Sequence, residues 1–90
     1  MISRRAIRIF AERHPDALEP LLHWANATET VRWRTPGDVR RTFNAADFVG
    51  DLTVLDVGGN KYRVITYIHY RQRVVYIKNV WTHKEYDKGA

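Results

Sequence analysis

An imidazole, two ammonium groups, two carboxylates and a phenol crowd into the run Trp81-Thr82-His83-Lys84-Glu85-Tyr86-Asp87-Lys88, directly after an apolar stretch. A site that moves protons around a phosphate uses each of these groups, since it needs a base, an acid and fixed positive charge. Metal-free RNA cleavage asks for three things: removal of the ribose 2′-OH proton, stabilisation of the charged phosphorane, and protonation of the departing 5′ oxygen. Histidine serves as base or acid because its unperturbed pKa lies close to neutrality. His83 is therefore one candidate proton carrier and Tyr86 its candidate partner. Arg63 is the candidate phosphate clamp, being permanently charged and geometrically bidentate. Lys78 or Lys84 can supply further charge. A lone histidine is most often an ordinary surface residue, so the reading depends on whether the fold brings these groups together.

The elements that must position them begin with two helical patterns. Ser3 can cap a helix with Ile2, Ala6, Ile9 and Phe10 on one face and Arg4, Arg5, Arg8 and Glu12 in water, ending before Pro15. A second helix opens around Pro15 and Asp16 and carries Leu18, Leu21, Leu22, Ala25 and Val31 inward; Trp24 can join that face, and Pro20 is tolerated near the start. Thr35-Pro36-Gly37-Asp38 reads as a cap with proline at the first helical position, starting a short third helix through about Arg41. Residues 44–50 read as loop.

From Leu52 the period changes to alternation, and strands are expected at about 52–57, 61–70 and 73–80, with turns at Gly58-Gly59 and Arg71-Gln72. Helices followed by a three-stranded antiparallel meander make an α+β domain, the helices covering one face. With two-residue hairpin loops, Val57 pairs with Asn60 and Tyr70 with Arg73. One face then collects Leu55, Tyr62, Val64, Ile68, Val75, Ile77 and Trp81 as the core side. The other collects Asp56, Lys61, Arg63, Ile65, Tyr67, Tyr76 and Lys78, with Arg63 and Lys78 as diagonal neighbours. Two readings of this face compete. It is a solvated sheet face of the ordinary antiparallel kind, or a surface where cations hold phosphates and tyrosine rings stack on bases. A one-residue slip would exchange the faces.

Composition bounds the partners. Ninety residues make one domain, whose site should be an open surface or groove. Fifteen Lys and Arg against ten Asp and Glu give a formal charge of +5, which favours polyanions. The absence of cysteine excludes disulfides, thiolate catalysis and cysteine-containing zinc sites. His14, His23, His69 and His83 stand on different elements with no paired zinc spacing, so neither metal nor cofactor is expected. Ser3 is the single serine and lies in no nucleophile elbow, and Gly58-Gly59 is too short for a phosphate loop. Residues 2–10 are interrupted by three arginines, unlike a secretory signal, and no apolar run approaches membrane length. The expectation is a cytoplasmic protein. Asn60 is either a turn residue or a polar contact to RNA; Arg32, Arg34, Arg40 and Arg41 are either a basic rim or solvated surface, the latter preferred.

Val57-Gly58-Gly59-Asn60-Lys61-Tyr62-Arg63, followed about twenty residues later by Thr82-His83-Lys84-Glu85-Tyr86-Asp87, strongly resembles the HigB-type toxins of bacterial toxin-antitoxin modules. The similarity continues through the N-terminal helices, the Pro36 helix and the connection at 43–48, so it covers essentially the whole chain. The resemblance implies a RelE-like fold and an endoribonuclease that cleaves messenger RNA, generally on translating ribosomes. It also implies a HigA-type antitoxin with a helix-turn-helix DNA-binding domain, which neutralises the toxin and represses their shared operon, so that operator DNA is met only through that complex. Asn60 and Arg63 match the glycine-turn motif, and His83, Lys84, Glu85, Tyr86 and Asp87 the terminal one. The combined expectation is catalysis by Arg63, His83 and Tyr86, with RNA held by Asn60, Lys61, Lys78, Lys84, Tyr67 and Tyr76. Glu85 and Asp87 fall to orienting or structural roles, because a carboxylate beside the scissile phosphate opposes its charge. A noncatalytic RNA-binding or regulatory module, or a structural partner for an acidic protein, would use the same basic face.

Overall fold

The computed structural model describes Ile2, residues 4–59 and residues 61–87, with the Asp87 side chain excluded. The expected cap at Ser3, the contact of Asn60 and the orienting role of Asp87 lie outside the described residues.

Helix α1 spans Arg5–Arg13 and buries Ile7 completely, while Ile9, expected inside, is 55% exposed. The apolar stripe runs through Ile7 and Phe10, which leaves Ile9 on the shoulder of the helix. Phe10 stacks on His14 with centroids 4.5 Å apart and meets Tyr62 edge-on at 5.7 Å, joining the end of α1 to the sheet. A 3₁₀ turn, Pro15–Ala17, leads into α2, Leu18–Thr30. The inward face of α2 is Leu21, Trp24, Ala25 and Thr28, and Leu18, expected with them, sits outward in the first turn. Pro20 falls in that same turn, where the helix needs no amide donor from it. Helix α3, Pro36–Thr42, begins as expected: the Thr35 hydroxyl accepts from the Asp38 amide at 3.3 Å, and Pro36 takes the first helical position.

The sheet has four strands, one more than expected, all antiparallel and in chain order: β1 Asp47–Val49, β2 Leu52–Val57, β3 Tyr62–His69 and β4 Val74–Thr82. Strand β1 lies inside the stretch read as loop. Three residues are too few to show alternation, but Gly50 at φ 59 supplies the first turn position of a tight hairpin that pairs Val49 with Leu52. The β2–β3 loop also differs: Val57 pairs with Tyr62, so the turn holds four residues, with Gly58 and Gly59 both at positive φ. A shift of two residues keeps every side chain on its expected face.

Between β3 and β4 the expected register holds from His69–Val74 to Thr66–Ile77 and then breaks, because Ile65 pairs with Asn79. Lys78 is the extra residue of this bulge. From there to the end of β4 the faces are exchanged, and Trp81 pairs with Arg63 on the face away from the helices. The core lies on the other face, where Leu55, Val57, Tyr62, Val64, Val75 and Val80 pack under Ile7, Leu21, Trp24 and Ala25. No helix among the described residues is long and apolar enough to cross a membrane.

Candidate active site

Strand β4 runs straight into α4, His83–Asp87, a helix too short to persist by propensity alone. Two devices hold it. The Glu85 amide donates to the Thr82 hydroxyl at 3.2 Å while the Glu85 carboxylate accepts from the Thr82 amide at 2.8 Å, a reciprocal capping box. The His83 amide also donates to the Lys61 carbonyl at 2.9 Å, which ties the first turn of α4 to the β2–β3 loop. The Thr82 amide keeps the Glu85 carboxyl below the usual glutamate range, with the Thr82 hydroxyl adding to the effect.

Arg63 enters this corner from the second position of β3, with its side chain only 11% exposed. Its Nε donates to Asp56 Oδ1 at 3.0 Å across the β2–β3 pair, and its Nη2 lies 2.8 Å from His83 Nδ1. Arginine carries donors only, so Nδ1 is the acceptor, and the proton of the neutral ring belongs on Nε2. The guanidinium carbon stands 5.8 Å from the centre of the Tyr86 ring, a cation–π distance, and the Trp81 ring is tilted against that ring at 6.3 Å. The result is a half-buried corner in which a guanidinium, an imidazole and a phenol converge from β3 and α4. It can bind a tetrahedral anion and hold two proton carriers beside it.

The structure thus brings Arg63, His83 and Tyr86 together. Lys84 is exposed on α4, and Lys61 is exposed in the loop whose carbonyl anchors His83. Tyr67 and Tyr76 pair across β3 and β4 on the face that carries Arg63, and Tyr76 meets His69 edge-on at 5.1 Å. Four residues along a strand separate Tyr67 from Arg63, roughly 13 Å. Lys78 is not the expected neighbour of Arg63: the bulge carries it off the ladder, and it lines a groove with Ile9, Phe10 and Arg13 of α1.

Two groups of the site, Asp56 and Trp81, carry no site role in the sequence reading. Asp56 was placed on the correct face but given no role, because the two-residue turn would have set it opposite Lys61. Trp81 was placed in the core, since no alternation rule announces a bulge. The Thr82-to-Glu85 spacing is the one readable signal, as it is the capping-box signature.

Comparisons with known proteins bear on the family. A family model described as HigB toxin, RelE-like toxic component of a toxin-antitoxin system, matches residues 17–89. An mRNA interferase toxin HigB of Escherichia coli K12 is 29% identical over 90 residues, 97% of this chain and 86% of that protein. An mRNA interferase HigB of Shigella flexneri matches to the same extent. Another, from Escherichia coli O6:H1, is 31% identical over 98% of this chain and 88% of its own length. The match spans both β3 and α4 and hence every group of the corner, and on it the chain belongs to the HigB toxin family, the RelE-like toxic components of toxin-antitoxin systems.

Proposed function

We propose that this toxin is an mRNA endoribonuclease acting on translating ribosomes, and that the Arg63–His83–Tyr86 corner is its active site. The observation that carries the reading is the 2.8 Å contact of Arg63 with His83 beneath the Tyr86 ring, in a chain whose relatives are named mRNA interferases. The scissile phosphate takes the Arg63 guanidinium, a planar fork matched to two phosphate oxygens. That exchange draws the guanidinium away from Nδ1 of His83, which then accepts the 2′-OH proton. The 2′ oxygen forms a bond to phosphorus, the bond to the 5′ oxygen breaks, and the Tyr86 hydroxyl protonates that leaving oxygen. The products are a 2′,3′-cyclic phosphate and a 5′-hydroxyl end, and no redox step or bound nucleophile is needed.

Asp56 holds Nε of Arg63 and so fixes the plane of the fork, while Lys61 and Lys84 add charge at the rim. Tyr67 and Tyr76 lie where a base upstream or downstream of the cut can stack. The partner that restrains the toxin is an antitoxin, of the HigA helix-turn-helix type, through which the pair meets operator DNA. Purified protein added to ribosomes translating a defined message, followed by mapping of RNA ends, tests the reading. Cleavage should appear with 5′-hydroxyl ends and should fall by at least a hundredfold for Arg63→Ala and His83→Ala. Undiminished cleavage by both variants would remove the site, and RNA binding without any cleavage would make the chain a noncatalytic RNA-binding module.

A further inference from the structure

At the end of the sheet opposite the Arg63 corner, the segment between α2 and α3 meets the β3–β4 turn, and four arginines converge there. Arg32 and Arg34 come from the first, Arg71 and Arg73 from the second, and all four are exposed. They line a concavity of about 240 Å³ floored by Trp33 and Tyr70, which shares Arg32 and Arg73 with an adjoining cavity of about 230 Å³. Guanidinium groups gathered around one concavity favour an anion there. The carboxylates that border it are already engaged. Asp38 accepts from the Arg34 amide at 2.9 Å and lies 3.6 Å from Arg41, and Glu29 is bound by Arg4 at 3.1 Å. Among the described residues Arg32, Arg34 and Arg71 form no ion pair.

Two further features mark the place as built. Arg73 sits at φ 55, the one described non-glycine residue in the left-handed region, a conformation that a turn with glycine there would hold without strain. The Thr28 hydroxyl, in a residue 5% exposed on the wall of the adjoining cavity, has no hydrogen-bond partner among the described residues. Leaving a buried hydroxyl without a partner is costly, and a polar occupant of the cavity removes that cost.

We propose that Arg32, Arg34, Arg71 and Arg73 form a second phosphate-binding site, which grips the backbone of a folded RNA while the strand to be cut occupies the Arg63 corner. The inference rests on the ribonuclease reading above. The eight residues of β3 separate the two places by roughly 25 Å at about 3.3 Å per residue, and the protein measures 33 Å along its longest axis. The arginine site opens beside α2 and the core residues Ile68 and Val75, whereas Arg63 lies on the face away from the helices. One extended strand cannot follow a straight path between them. A folded RNA surface, with a phosphate on every nucleotide, presents charge across that width.

The test compares the wild-type protein with the Arg32→Gln/Arg71→Gln variant, both positions being exposed and outside the catalytic corner. Affinity is measured across a salt series for purified ribosomes and, separately, for a short single-stranded oligoribonucleotide. Loss of two phosphate contacts should reduce ribosome affinity by about tenfold and flatten the log–log salt slope by roughly 1.5, with unfolding temperature unchanged and the oligonucleotide bound as before. Unchanged ribosome affinity and slope would overturn the site, even where wild-type cleavage upholds the ribonuclease reading. Equal loss for the oligonucleotide would overturn folded RNA as the occupant, and intact RNA binding with weakened antitoxin binding would make this a protein-docking face. A wild-type protein that cleaves nothing, yet shows the predicted slope change, would uphold this site and sink the ribonuclease reading instead.

Discussion

Nη2 of Arg63 and Nδ1 of His83 stand 2.8 Å apart, so the phosphate clamp and the candidate base occupy each other before any RNA arrives. An arginine cannot accept and a neutral imidazole has one acceptor nitrogen, so the contact fixes both the ring orientation and its tautomer. Substrate phosphate competes for the same guanidinium donors. Binding and freeing of the base are therefore one event in the proposed mechanism, and the ring stays capped in the unliganded protein.

Asp56 should control how well the clamp is aimed. Its carboxylate accepts from Nε of Arg63 at 3.0 Å in a pair that is partly exposed. Asp56→Ala is expected to slow single-turnover cleavage about fivefold, an effect of roughly 1 kcal/mol for a half-solvated charged contact, while leaving the fold intact. Asp56→Asn keeps one acceptor oxygen and should recover part of the loss. Equal, wild-type rates for both variants in rapid-quench measurements would exclude a positioning role.

The capping box should make α4 sensitive to acid. The Glu85 carboxyl titrates below its ordinary value because the folded protein supplies the Thr82 amide and hydroxyl to the ionised form. With the folded pKa the lower of the two, this stabilisation is complete above the unfolded glutamate pKa, about 4.3, and is lost as pH falls through the folded one. Protection of the α4 amides from hydrogen exchange should therefore decline below about pH 4 in the wild type. Glu85→Gln retains an acceptor and should remove that acid step, whereas Thr82→Ala should weaken protection at every pH by about 1 kcal/mol.

Adjacent glycines in the β2–β3 loop should respond differently to alanine. Gly58 has φ 69, and a Cβ there would stand 3.1 Å from the Tyr62 ring, which is packed in the core. Gly59 has φ 61, but its Cβ would meet nothing within 4 Å. Gly59→Ala carries only the left-handed backbone cost of about 1–2 kcal/mol, while Gly58→Ala adds displacement of Tyr62. The Gly58 variant should melt several degrees below the Gly59 variant in calorimetry and lose more activity, because Lys61, which anchors the His83 amide, closes the same turn. Equal melting temperatures would show that the Tyr62 contact relaxes without cost.

Alternation in the sequence was enough to put Arg63 on the face away from the helices, and the short polar run was enough to put His83 and Tyr86 at the end of the last strand. Both follow from residue period alone, which a two-residue error in turn length leaves untouched. A bulge is different, because it adds one residue and exchanges faces beyond it. Nothing in the composition of β4 marks Lys78 as the extra residue, so Lys78 was drawn toward Arg63 and Trp81 into the core, and the structure reverses both. The fourth strand escaped notice for a related reason, since β1 spans three residues and is defined by its partner Leu52–Val54 rather than by its own pattern. Asp56 became visible only once Val57 was paired with Tyr62.

If clamp and base act as a unit, removing both should cost little more than removing one. Arg63→Ala takes away the phosphate ligand and the donor that holds the His83 ring, so whatever the imidazole contributes in the wild type is already largely forfeited. His83→Ala likewise leaves a clamp with no base beside it. The Arg63→Ala/His83→Ala double variant should therefore cleave within about threefold of the slower single variant, a non-additivity characteristic of catalytic groups that work together. Arg63→Lys sharpens the test. Lysine restores the charge but not the planar fork, so it cannot engage Asp56 and His83 in the same geometry and should recover less than a tenth of wild-type activity. Additive losses in the double variant, together with near-complete rescue by lysine, would mean that Arg63 supplies bulk charge alone and that the 2.8 Å contact has no part in the reaction.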